Sequence, residues 1–136
     1  MLPFFIFEVH TPYRIFFDSN KVQAFTLPLA DGEIGVYARH SPVTAITVTG
    51  ILRIKDAEDK WKAAFVSGGI LEVKEFKNVL MVSAAEWPDE IDRERALMAK
   101  QRAEIILAEA EAKVEIDRAR EKLRRAEFRL KLTENR

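Results

Sequence analysis

The pattern of apolar and polar positions changes once along this chain. Up to Trp87, short apolar or alternating runs are separated by turn residues; beyond Pro88, apolar residues recur at helical spacing with no further Gly or Pro. The first stretch predicts strands at 4–9, 13–17, 21–29, 34–37, 44–49, 51–55, 61–66, 70–76 and 78–83. Short strands at such close spacing predict an all-β sandwich or flattened barrel. Leu71-Glu72-Val73-Lys74 alternates, as a strand with one wet face does. Val79-Leu80-Met81-Val82 is continuously apolar, which predicts a strand covered on both sides.

The second stretch predicts helices. Trp87-Pro88-Asp89 marks the boundary, dividing the chain into a β domain at 1–87 and a helical domain at 88–136. Asp89 is the expected N-cap, with Glu90 favourable to the helix dipole and Asp92 helping to satisfy free amides. Ala96, Ala99, Ala103, Ile106 and Ala110 step by three and four along one seam. Continued, that seam would meet Lys113, Asp117 and Arg120; the apolar stripe restarts instead at Ile116, Ala119, Leu123, Ala126 and Leu130. A phase slip near 111–115 forbids one straight helix with a single apolar face. The expectation is an antiparallel hairpin with helices at about 89–110 and 114–133. Its seam is rich in alanine, and hydrophobic stabilisation scales with buried apolar area at roughly 25 cal/mol per Å². Such a hairpin is weakly held.

Composition narrows the function classes. The 22 basic and 22 acidic side chains cancel, so no global field draws the chain to nucleic acid or acidic lipid. Residues 88–136 hold 13 basic and 12 acidic groups. The absence of cysteine removes disulfides and thiolate metal sites and fits a reducing compartment. The apolar opening Leu2-Pro3-Phe4-Phe5-Ile6-Phe7 stops at Glu8, too short for a signal or a membrane span, and reads as a first strand in a soluble intracellular protein.

Catalytic chemistry finds little footing. Ser67-Gly68-Gly69 lacks the Lys-Ser/Thr of a phosphate loop and opens a strand. His10 and His40 have no metal-ligand spacing, and no Ser/His/Asp arrangement is credible with two histidines and no elbow motif. The arginines are more informative. Asp92, Arg95, Ala99 and Arg102 share one stripe of the first helix; Arg118, Lys122, Arg125 and Arg129 share one of the second. Brought together, such forks suit phosphate oxygens. The alternative is a solvated face laced with pairs such as Glu121–Arg125, and spacing alone favours that plainer reading.

Two further stretches carry a family resemblance. Gly32-Glu33-Ile34-Gly35-Val36-Tyr37 with His40-Ser41-Pro42, and Phe65-Val66-Ser67-Gly68-Gly69-Ile70-Leu71-Glu72-Val73, resemble signatures of the epsilon-subunit family of the bacterial rotary, proton-translocating F-type ATP synthase. The likeness spans essentially the whole chain. Ala38-Arg39 departs from it, standing where that family usually has Pro-Gly. The resemblance implies a ten-stranded β-sandwich docked on the gamma subunit and on the c-ring, with a loop carrying Glu33, Tyr37, Arg39 and His40 facing the ring. It implies a C-terminal hairpin that is either compact or extended among the alpha and beta catalytic subunits, where it inhibits ATP hydrolysis. In some bacterial members ATP binds the folded hairpin through an Ile/Leu-Asp-x-x-Arg-Ala motif. Ile91, Asp92, Arg95 and Ala96 match that motif, and Glu86, Arg102, Arg125 and Arg129 match the remaining contact positions. ATP is then the expected regulatory ligand, with no catalytic residue, metal or resident cofactor. The implied location is peripheral, at the cytoplasmic face of the bacterial cell membrane, without nucleic acid as partner. The competing expectations are a purely structural rotor connector without nucleotide binding and a sandwich adaptor of another complex.

Overall fold

The computed structural model describes residues 3–134, which fall into two compact units that divide between Glu86 and Trp87. The first holds ten strands: β1 (Phe5–His10), β2 (Ile15–Val22), β3 (Ala24–Leu29), β4 (Gly32–Tyr37), β5 (Val43–Thr47), β6 (Gly50–Lys55), β7 (Trp61–Val66), β8 (Gly69–Val73), β9 (Asn78–Val82) and β10 (Ala85–Glu86). Hydrogen-bonded neighbours run β10-β7-β6-β3-β5-β8-β9-β1-β2, with β4 on the free side of β3. Pairing is antiparallel except between β1 and β9. β3 and β5 share a single pair, Leu29 with Thr47. At that narrow hinge the sheet folds over into a sandwich.

Alternation places one side chain in two inside. Phe7 and Val9 of β1, Leu71 of β8, Leu80 of β9, Phe25 and Leu27 of β3, and Leu52 and Ile54 of β6 are all essentially inaccessible to water. Phe7 and Phe25 stack with centroids 3.9 Å apart and planes 5° from parallel, joining the two layers. Fully burying a side chain of this size contributes about 1.5–3 kcal/mol.

Several expected strands shift for local reasons. The run 13–17 begins as a turn, because Thr11 Oγ1 accepts from the amides of Tyr13 and Arg14 at 3.3 and 3.2 Å, and β2 starts only at Ile15. The run 21–29 divides at Gln23. There the chain passes between layers, with the Gln23 amide donating to Lys55 O and Nε2 to Asp56 O. The expected two-sided burial of 79–82 is wrong: Leu80 and Val82 are buried, whereas Val79 is half-buried and Met81 is 43% exposed. One face of β9 is open.

The connection from β7 to β8 is a buried knot. Ser67, fully buried, accepts at Oγ from the amides of Ser83 and Ala84, both at 3.0 Å. Gly68 N donates to Thr49 Oγ1 at 3.2 Å and Gly69 N to Thr47 Oγ1 at 3.0 Å. Two segments, 47–49 and 83–84, therefore supply the polar partners that this turn needs away from water.

The second unit opens with a 3-10 turn at Pro88–Glu90, closed by Trp87 N donating to Glu90 Oε1 at 2.9 Å. Ile91 and Asp92 are extended, and α1 (Arg93–Glu109) follows; α2 spans Lys113–Thr133. Asp89 is therefore not the cap, and the helix starts four residues after the expected 89. Proline sets the preceding turn, and Asp92 caps α1 by accepting from Arg95 N at 3.1 Å. The helices part at residues 110–112, without glycine, and no side chain caps the start of α2. Ala96 and Ala103 of α1 and Ala119 and Ala126 of α2 are each at most 4% exposed. Ile106, expected in that seam, is 43% exposed and Leu107 is half-buried instead. Among the described residues no helix is long and apolar enough to cross a membrane.

Candidate functional site

The buried alanines reveal a rule in the hairpin. Each follows an arginine: Arg95-Ala96, Arg102-Ala103, Arg118-Ala119 and Arg125-Ala126. An α-helix turns about 100° per residue, so each arginine stands roughly a quarter-turn to the same side of its seam. α1 and α2 are packed as an antiparallel pair, and in such a pair equal rotational offsets fall on one face. All four arginines thus line one flank of the hairpin. Arg129 lies one turn beyond Arg125 on the same stripe.

The eight residues carried over from the resemblance occupy different settings. Ile91 and Ala96 are buried, at 3% and 4% exposure, and pack the first turn of α1. Asp92 is exposed and engaged as the N-cap. Arg95 and Arg102 are exposed. Arg125 and Arg129 are half-buried, and Arg125 Nε donates to Glu121 Oε2 at 3.1 Å. An open groove of about 410 Å³ on α2 is lined by Asp117, Arg118, Glu121, Lys122 and Arg125. Glu86 belongs to the other unit, on β10, paired with Phe65. The hairpin thus brings Arg95, Arg102, Arg125 and Arg129 to one flank. Chemically, that flank is a row of guanidinium donors with the Asp92 carboxylate at its end and Glu121 paired to Arg125, a cationic row that suits a polyanion.

The four residues expected on one loop do not share it. Gly32–Tyr37 is β4, a strand, with Glu33 near one end and Tyr37 at the other. Four residues at roughly 3.3 Å each separate them by about 13 Å. Tyr37, 62% exposed, leads into the turn that carries Arg39 and His40. His40 N donates to Tyr37 O at 3.3 Å, and the His40 ring Nδ1 lies 2.7 Å from Ser41 O. Arg39 holds a left-handed φ of 64°. A wide cleft of about 970 Å³ lies against this turn, with Phe4, Phe5, Arg39, His40 and Glu75 among its walls.

Sequence reasoning missed a second surface. On the outer face of β5, β8, β9, β1 and β2, cross-strand pairing aligns Ile46 with Ile70, Ile70 with Met81, Met81 with His10, and His10 with Ile15. Ile46 is 79% and Ile15 58% exposed. The signal was register, which no single strand discloses. Ile46, Ile70 and Met81 thus form an exposed apolar row on this face, with His10 between Met81 and Ile15, the kind of patch that suits an interaction. Beside it, Glu8 bonds His10 Nε2 at 2.7 Å and Lys77 Nζ at 3.1 Å, and these hydrogen bonds, His10 first, hold its carboxyl below the usual glutamate range.

Comparison with known proteins agrees with both halves of this architecture. Residues 5–88 match the family model described as ATP synthase, Delta/Epsilon chain, beta-sandwich domain, and residues 89–134 match the corresponding long alpha-helix domain. The ATP synthase epsilon chain of Caldicellulosiruptor bescii is 47% identical over 130 residues, covering 96% of this chain and 93% of that one. The epsilon chain of Staphylococcus aureus is 35% identical over 127 residues, covering 93% and 94%. In fold, the chain is similar to one in the Euglena gracilis mitochondrial ATP synthase structure of OSCP, F1 and c-ring. The TM-score is 0.80 at 22% identity, over 93% of this chain and 80% of that one. With both domains matched in order and relatives covered almost end to end, the chain belongs to the ATP synthase delta/epsilon chain family.

Proposed function

We propose that this chain is the epsilon subunit of a bacterial F-type ATP synthase, a non-catalytic part of the rotating central stalk. It couples the catalytic sector to the proton-driven ring and sits peripherally at the cytoplasmic face of the cell membrane. The observation that carries this reading is the end-to-end similarity to curated epsilon chains, at 47% identity in one bacterial relative. The apolar row through Ile46, Ile70 and Met81 supports docking on the gamma subunit. The turn with Arg39 and His40 supports contact with the c-ring. Glu33, at the far end of β4, makes a separate contact or none.

The helical unit regulates. Its alanine seam buries little apolar area, so a closed and an extended arrangement differ by a small free energy. ATP binds the cationic flank of the closed hairpin and favours it; falling ATP releases the helices toward the alpha and beta catalytic subunits and suppresses hydrolysis. A ligand at ten times its dissociation constant, binding one arrangement only, shifts the balance about tenfold.

One observation favours a second reading. Arg125 is already paired with Glu121, as in a solvated face, which suits a structural connector without nucleotide. Isothermal titration of the full chain with ATP and ADP separates the two. Saturable heat with ATP that is lost in Arg125→Ala supports nucleotide binding, and no heat supports the connector.

A further inference from the structure

Arg93 is the first residue of α1, yet its side chain serves the other helix. Arg93 Nη1 donates to Thr133 Oγ1 at 2.6 Å and reaches Leu130 O at 3.5 Å. Thr133 Oγ1 in turn donates to Leu130 O at 2.8 Å. Thr133 is 6% exposed, though it is the last residue of α2. A cation at a helix start opposes the positive end of its own dipole, so α1 gains nothing from arginine there. The last turn of α2 gains twice: its free carbonyls need donors, and its negative dipole end favours a cation.

We propose that Arg93 is a latch, a C-cap for α2 supplied in trans by α1 and present only while the hairpin is closed. Asp92, by capping α1 at Arg95 N, fixes the turn from which Arg93 reaches across. Arg93 stands on the opposite flank from Arg95 and Arg102, two residues or about 200° around the helix from Arg95. Closure therefore has two supports on two flanks, one that needs no ligand and one dependent on an anion. Separation of the helices breaks the latch and frays the end of α2. The regulatory meaning rests on the reading that the hairpin opens.

Hydrogen exchange of the full chain, with and without ATP, tests the latch. Arg93→Ala is expected to speed exchange about three- to tenfold over residues 127–133, leaving the sandwich amides unchanged as an internal control of folding. Thr133→Val should do the same, Thr133→Ser should not, and the double variant Arg93→Ala with Thr133→Val should be little worse than either alone. Unchanged exchange in Arg93→Ala, or fully additive effects in the double variant, overturns the proposal. ATP slowing exchange in Arg93→Ala supports two supports on one equilibrium. ATP without effect on either protein removes the nucleotide reading, while accelerated exchange in Arg93→Ala still upholds the latch.

Discussion

A Cβ built on Gly69 would overlap the main-chain carbonyl oxygen of Met81, so β8 and β9 approach at this point as only glycine permits. The obstructing atom is backbone and is fixed in the β8–β9 ladder, where it has no room to yield. Gly69→Ala should destabilise the sandwich by about 3 kcal/mol, at the upper end of overpacking costs. Denaturant unfolding followed by the sheet signal in circular dichroism measures it. Gly68→Ala, whose Cβ would lie 2.9 Å from Thr47 O, should be destabilising in the same direction.

Arg39 holds a left-handed backbone where the resembling family has glycine. The strain of such a residue is about 1 kcal/mol, so Arg39→Gly should be neutral to stabilising by up to that amount. Arg39→Val, β-branched, should cost about 1–2 kcal/mol by thermal unfolding. If the turn contacts the c-ring as proposed, a loss of that contact in Arg39→Gly reflects the guanidinium and not the turn.

The β-then-hairpin order was legible from periodicity alone, because alternation and three-four stepping are local signals. What was not legible depended on partners distant in sequence. β10 is two residues long, Ala85 and Glu86, and exists only because β7 pairs with it. Met81 looked buried because its neighbours are apolar; whether a second layer covers it is a tertiary matter. Asp89 and Asp92 are equally good caps by type, and the 3-10 turn at Pro88 decided between them. The arginine positions could be read from the sequence, but their common flank required knowing which alanines are buried. Arg93, lying inside the motif as an unspecified position, gave no signal at all.

Glu8 links pH to the outer face of the sandwich. Its folded carboxyl titrates below the ordinary range, owing first to the His10 hydrogen bond and then to Lys77. A depressed folded value contributes stability above the unfolded value, and that contribution is lost as pH falls through the folded one. Stability should therefore decline on the acid side of the usual glutamate range, and less so in Glu8→Gln. Lys77→Ala should raise the Glu8 titration midpoint in an NMR titration of its side-chain carboxyl.

The alanine seam sets how closely the helices approach. Ala126→Leu, at 1% exposure, adds volume where there is none, and should open the hairpin at a cost of about 1–3 kcal/mol. Limited trypsin digestion should then cut faster at the arginines of α2, while Ala108→Leu, on the exposed side of α1, should leave the rate unchanged.

Because the chain contains no cysteine, spin labels can be attached at Glu94→Cys and Lys131→Cys alone, both on exposed positions of the opposed helix ends. Their separation, measured by pulsed EPR in the assembled complex as ATP is titrated, reports directly on whether a nucleotide biases a weakly held hairpin. A short-distance population that grows with ATP, and fails to grow in Arg125→Ala, is the predicted result. A distance distribution indifferent to ATP across its whole range would contradict it.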